Sequence, residues 1–296
     1  MTQSTEILQR ARRREKACRL WLYIAVISMS IITLLPIAAF FINAFAFRWF
    51  YPRIIPKTWS LKAWERLRLF SRMDDATLWD HLSAFISSPI MEAMWLSLFI
   101  GIIVTIISVI IGLPMARALG LYQFRGKRVV EFIIIAPTIV PALAFALGLN
   151  INFIRWGLSG SIIGVSLVHL VPVLPYVVLS LMGVFANYNP DFESQARTLG
   201  ASATKTFIYL TFPAILPGIM VAALFAFLVS WSQYILTFLV GGGRVVTLPI
   251  LLFSTATGGN NSVTAAMSLV YIAPAMAILL INSKYLSGKH SLGSFA

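Results

Sequence analysis

Six stretches of this chain, each at least 21 residues long, carry no Asp, Glu, Lys or Arg: 20–47, 93–116, 132–154, 162–186, 212–240 and 263–283. A bilayer core about 30 Å thick needs about 20 mostly apolar residues per helix. Each stretch is therefore long enough to cross a membrane as a helix, the form in which a span satisfies its own backbone hydrogen bonds. The run 248–253 is too short to cross and reads as a re-entrant or surface piece. Composition agrees: 59% of residues are hydrophobic and 11% charged, against about 25% charged in a soluble domain, and the mean hydropathy is +0.86. The net charge of +13 fits the flanks of membrane spans, and the hydropathy argues against nucleic acid as the partner. The expected fold class is an all-α polytopic membrane protein with six transmembrane helices.

The first stretch follows a basic segment, and Ala44-Phe45-Ala46 resembles a leader cleavage site. Its 28 uncharged residues exceed the apolar run of about 7–15 residues in a signal peptide, so it reads as a retained anchor. Lys and Arg counted over tails and short loops set the orientation. Six lie in the tail 1–19, four between the second and third spans (Arg117, Arg125, Lys127, Arg128), two between the fourth and fifth (Arg197, Lys205) and two in the tail 284–296 (Lys284, Lys289). The opposite short loops hold only Arg155 and Arg244, which places both termini in the cytosol. The segment 48–92 then lies outside, although it carries seven Lys and Arg. Trp59, Trp64 and Trp79 among its charges suggest an interfacial helix. The organisation expected is a basic cytosolic tail (1–19), a first transmembrane helix (20–47), this external loop (48–92), a core of five helices (93–283) and a second cytosolic tail (284–296).

Several chemistries find no residues to carry them. Gly120 to Lys127 has one residue too many for a phosphate-cradling loop, and Arg128 stands where Ser or Thr would hold magnesium. His81, His169 and His290 have no ligand spacing and Cys18 is the only cysteine, so no metal site is expected; His169 reads as a packing residue. No acidic residue falls inside a span, with Glu92 and Glu131 at span edges. Ion-coupled carriers and membrane hydrolases both rely on such groups, so neither class fits. For an enzyme, only Asp74, Asp75, Asp80 and His81 in the long loop gather polar chemistry. No catalytic residue and no cofactor on this chain are expected.

The loop between the fourth and fifth spans (187–212) has a defined shape. Pro190 and Asp191 suit a helix start, Gly200 suits its end, and a second short helix follows from about Ala203 towards Pro213 and Pro217. Such an elbow on the membrane surface is a knob that another protein can grip.

From Glu193 to Pro213 this elbow resembles the EAA loop of binding-protein-dependent ABC importer permeases of the type I fold. In that loop EAA is followed after three residues by Gly, and nine residues later by Ile-x-Leu-Pro. Ala196 matches the second alanine, Gly200 the glycine, and Leu210, Phe212 and Pro213 the closing motif, while Ser194 occupies the glutamate position and Gln195 the first alanine. The likeness runs from about residue 93 to 283 and takes in Pro137 and Pro141, Leu174-Pro175-Tyr176 and Leu216-Pro217-Gly218. The resemblance implies a permease half in the bacterial inner membrane, working by alternating access. Asp191, Glu193, Ala196, Arg197, Leu199, Gly200 and Ala201 would face a separate ATP-binding subunit, two copies of which carry ATP and Mg. It further implies a second permease subunit, expected to be a different chain, and an extracytoplasmic solute-binding protein; the remaining partner is membrane lipid. Within the family the segment 241–249 is similar to the spermidine/putrescine-like group, which implies a polyamine or another small solute. The competing class is an ATP-independent carrier or channel.

On a continuous helix of about 3.6 residues per turn, Ser230, Gln233, Tyr234 and Thr237 share one face of the fifth span, with Trp231 and Ser232 turned away. The stripe suits a translocation path that offers neutral hydrogen-bonding groups. It equally suits hydrogen bonds between helices.

Overall fold

The computed structural model describes residues 2–46, 49, 56, 58–67, 83 and 85–286. The chain divides into two compact units. One comprises residues 1–67 with 260–269, the other 68–259 with 270–296.

In the first unit α1 (Thr2–Phe45) is one unbroken helix, and its residues 18–45 are apolar enough to span a membrane. The apolar side chains from Leu20 to Phe41 are exposed, as lipid-facing ones are. The helix end is tied down locally. Trp64 Nε1 donates to the Ala44 carbonyl at 3.0 Å, Ser262 Oγ donates to that of Ala46 at 2.7 Å, and an isolated bridge joins Ala46 to Trp59. Trp64 belongs to a five-residue helix, α2 (Lys62–Arg66). The rest of the expected interfacial helix, with Trp79, Asp74, Asp75, Asp80 and His81, lies outside the described residues.

The second unit is built on α3 (Pro89–Leu121) and α6 (Ile162–Ala186). Ser88 and Ser161 cap their first turns by accepting from the Met91 and Gly164 amides. The two helices pack closely because small residues face the contact: a β-carbon at Gly112 would stand 2.7 Å from Val177, and one at Gly120 2.6 Å from Phe185. Between α3 and α6 run α4 (Lys127–Ile139) and α5 (Ala142–Arg155). After α6 come α7 (Asp191–Thr198), α8 (Ala203–Thr206), a π-helical turn (Phe207–Thr211) and α9 (Phe212–Trp231). The chain continues through α10 (Ile235–Gly241), α11 (Leu248–Thr257) and α12 (Asn261–Leu286), whose residues 261–269 belong to the first unit. Helix α9 packs on both α3 and α6, and Ile100, Val104, Val177, Leu181, Phe185 and Ile215 fill the shared core.

Among the described residues, five helices are long and apolar enough to cross a membrane, or six if α4 and α5 form one broken span. The expected third span is thus two helices meeting at 101°. The residue before a proline avoids the helical region, and Val140, before Pro141, is extended with ψ 133°. Pro172 and Pro175 lie inside an uninterrupted α6, so not every span proline interrupts its helix. The fifth span also differs from a single helix: α9 ends at Trp231, and α10 starts at Ile235. The run 248–253 forms part of α11, a ten-residue helix.

Candidate functional site

The elbow after α6 is set by its own sequence. The Asn189 side chain accepts from the Asp191 amide at 2.9 Å and starts α7. The helix closes in a paired C-terminal motif, with Ala201 N donating to the Ala196 carbonyl at 3.0 Å and Gly200 N to that of Arg197 at 2.9 Å. That closure puts Gly200 at φ +90°, in the left-handed region open to glycine. Ser202 then caps α8 by accepting from the Lys205 amide. The outcome is a sharp two-helix knob.

The coupling candidates divide between its two faces. Asp191, Arg197, Leu199 and Gly200 are exposed, Ala196 and Ala201 half-buried, and Glu193 buried. Leu199 is 89% exposed and Phe192 is also exposed, and the charged Asp191, Arg197 and Lys205 of the same elbow are exposed too. Glu193, 7% exposed, points inward. Its Oε2 accepts from Arg117 of α3 at 2.6 Å and its Oε1 from the Thr211 hydroxyl at 2.8 Å. Thr211 has a single hydroxyl hydrogen and gives it to the carboxylate, so the Tyr188 hydroxyl, 3.3 Å away, donates to Thr211. Burial raises the Tyr188 pKa, which keeps this donor protonated. The Arg117 guanidinium also lies over the Phe207 ring at 6.0 Å. In the sequence Arg117 is simply one of the basic residues flanking a span; its partners Glu193 and Phe207 lie 76 and 90 positions away and no local pattern announces them.

The stripe of the fifth span is divided too, because the helix on which it was drawn is interrupted. Ser230 lies in the last turn of α9 and Thr237 sits in α10; both are buried and both meet His169 of α6. His169 Nδ1 lies 3.0 Å from Ser230 Oγ and Nε2 2.8 Å from Thr237 Oγ1. The Thr237 hydroxyl donates to the Gln233 carbonyl at 2.7 Å, an atom that can only accept. Thr237 therefore accepts from His169, the proton of a neutral ring sits on Nε2, and Nδ1 accepts from Ser230. The packing role expected of His169 describes this geometry. Being a lone ionisable side chain in mid-span is the signal that marks it.

Gln233 and Tyr234 are half-buried in and beside the break. Gln233 lines a small cavity with Ser97, His169, Ser230, Trp231 and Thr247. Trp231 is not turned away as the continuous helix required: it is 3% exposed, stacked between Phe227 and Tyr271 at 5.6 Å from each. Its buried Nε1–H and the Thr247 hydroxyl have no protein hydrogen-bond partner and belong to side chains that line this cavity. Tyr234 stacks on Phe253 of α11 with ring centres 4.0 Å apart. Among the described residues, no three His, Cys, Asp or Glu side chains converge to hold a metal ion.

Residues 108–286, more than half of the chain, match the family described as binding-protein-dependent transport system inner membrane component. The molybdenum transport system permease protein ModB of Mycobacterium tuberculosis is 27% identical over 222 residues, 70% of this chain and 84% of that protein. The putrescine transport system permease protein PotI of Escherichia coli is 29% identical over 178 residues, 58% of this chain and 63% of that protein. The fold is shared with the crystal structure of a bacterial ABC transporter that imports the acidic polysaccharide alginate, at a TM-score of 0.66 and 17% identity, covering 92% of this chain and 98% of that one. The chain therefore belongs to the family of inner-membrane components of binding-protein-dependent transport systems, and it is a multi-pass permease subunit of an ABC importer.

Proposed function

We propose that the 187–212 elbow is the surface through which a separate ATP-binding subunit drives this permease. The observation that carries the reading is Leu199, 89% exposed on a knob whose shape is fixed by the Gly200 turn. Exposed apolar side chains among exposed charged ones on one short elbow suit a docking surface. One elbow engages one motor subunit. A complete importer then contains an ATP-binding dimer with its ATP and Mg, this chain, and a second permease subunit that is a different chain. A solute-binding protein delivers from outside and lipid surrounds the spans; no nucleic acid takes part. The excess of Lys and Arg on the elbow side puts the elbow and both termini in the cytosol.

The path reading rests on the break between α9 and α10. Gln233 and Tyr234 offer neutral hydrogen-bonding groups beside it, while Ser230 and Thr237 hold its two sides to α6. No acidic residue lies in the α9–α10 segment, so this half provides hydrogen bonds and no compensating charge for a cation. The cargo is a small solute, and relatives named for molybdenum and for putrescine bracket its chemistry. The test is a mild-detergent pull-down of the tagged chain, with mass spectrometry of what co-purifies and an ATPase assay of the eluate. An ATPase chain and a second permease are expected. Recovery of this chain alone, still transporting without ATP after reconstitution, overturns the reading in favour of a carrier.

A further inference from the structure

Glu193 belongs to the elbow by sequence, yet its carboxylate is turned away from the surface on which a partner can land. It is held by Arg117 from α3 and by Thr211 from the π-helical turn, which Tyr188, just past the end of α6, reinforces through its hydroxyl. Phe185 of α6 meets the Tyr188 ring edge-on at 6.4 Å, and Phe207 of the same π-helical turn lies under the Arg117 guanidinium. Four elements thus converge on one carboxylate. All three hydrogen bonds run towards it: Tyr188 into Thr211, Thr211 into Glu193, and Arg117 into Glu193. We propose that this knot is a strut that transmits displacement of the elbow to the spans, with Glu193 and Arg117 as its positioning residues.

Three features support a transmitting role beyond holding the loop in place. The knot joins α7 to the ends of α3 and α6 and to the turn leading into α9, and these three helices form the packed core. Helix α7 cannot tilt alone without separating a mostly buried charge pair, and such pairs are costly to part. The π-helical turn, Phe207–Thr211, brings Phe207 and Thr211 to the knot and joins directly to α9. Turns of this kind are frequent at functional sites. From α9 the connection leads to the break beside Gln233, so a push on the knob has a continuous packed route to the path.

The proposal rests on the elbow being the motor dock, and the test separates the two. The assembled importer is reconstituted with Cys18→Ser and a reporter cysteine, Ser232→Cys, at the exposed residue in the α9–α10 break. Maleimide labelling rates are compared before and after trapping with ATP and vanadate, alongside retention of the ATP-binding subunit and its hydrolysis rate. Glu193→Gln is expected to keep the subunit and its hydrolysis while shrinking the trapping-dependent change in labelling about tenfold. Thr211→Val should shrink it less, and the exchange Arg117→Glu with Glu193→Arg should restore part of it. An unaltered labelling response in Glu193→Gln and Thr211→Val overturns the strut alone. Loss of the subunit from Glu193→Gln and Thr211→Val also overturns it, because the knot would then merely fold the dock. If the parent protein fails to retain the subunit, the docking reading falls and the strut with it.

Discussion

Two polar knots hold the second unit, and they use different chemistry for the same mechanical task. His169 binds Ser230 and Thr237 across a helix break with neutral groups alone. Glu193 binds Arg117 and Thr211 with a full charge pair. The neutral knot sits in mid-span, where an ionised group is expensive. The charged knot sits where α3 and α6 meet the loop, and the Arg117 side chain remains 25% exposed. Location decides which kind of knot is affordable. The charged one is the more sensitive to losing a member, because a buried charge without its partner costs more than an unpaired hydroxyl.

The largest effect expected is at Gly200, which shapes the elbow that carries Glu193 of the charged knot. A β-carbon there meets no atom within 4 Å, but φ is +90°. The Gly200→Trp variant therefore takes on about 1–2 kcal/mol of backbone strain and places a bulky ring on the docking face. Uptake should be abolished with membrane insertion intact; normal transport by the well-expressed variant sinks the assignment of this face. Next comes Arg117→Leu, which strands the Glu193 carboxylate and should lower stability by about 3–5 kcal/mol, read as a fall in the detergent-solubilised melting temperature. The matched change in the neutral knot, His169→Leu, should cost about 1–2 kcal/mol, since Thr237 keeps the Gln233 carbonyl. Equal losses from Arg117→Leu and His169→Leu would erase the distinction between the knots. The smallest effect belongs to Gln233→Ala: transport affinity or rate changes a few-fold with motor binding retained, about the weight of one neutral hydrogen bond. Unaltered uptake assigns Gln233 to packing.

What could be read from sequence follows the range of the interactions. The spans were legible because charge is excluded over about 20 consecutive residues, and the elbow because Pro190, Asp191 and Gly200 each act within one turn. The third span shows the limit. Pro141 is visible, but whether a proline kinks, interrupts or is absorbed depends on tertiary contacts, and Pro172 and Pro175 are absorbed. The break at 232–234 contains neither Gly nor Pro, so the stripe was drawn on a helix that stops in its middle. Drawing it so turned Trp231 outward and gave no sign that Ser230 and Thr237 both meet His169. The hydrogen bonds of the two knots join residues 18 to 76 positions apart, and one sequence carries no record of such pairings.

The central claim, that the elbow tip meets the motor, is tested most directly by site-specific crosslinking in the assembled importer. With Cys18→Ser removing the native thiol, Leu199→Cys and cysteines placed across the groove of the ATP-binding subunit are oxidised in membranes and resolved on non-reducing gels. The account predicts a permease–ATPase adduct from Leu199→Cys and none from a cysteine at Trp156, on the other side of the membrane in the proposed topology. Adducts with no ATP-binding subunit from Leu199→Cys, in membranes where the importer is active, would contradict it.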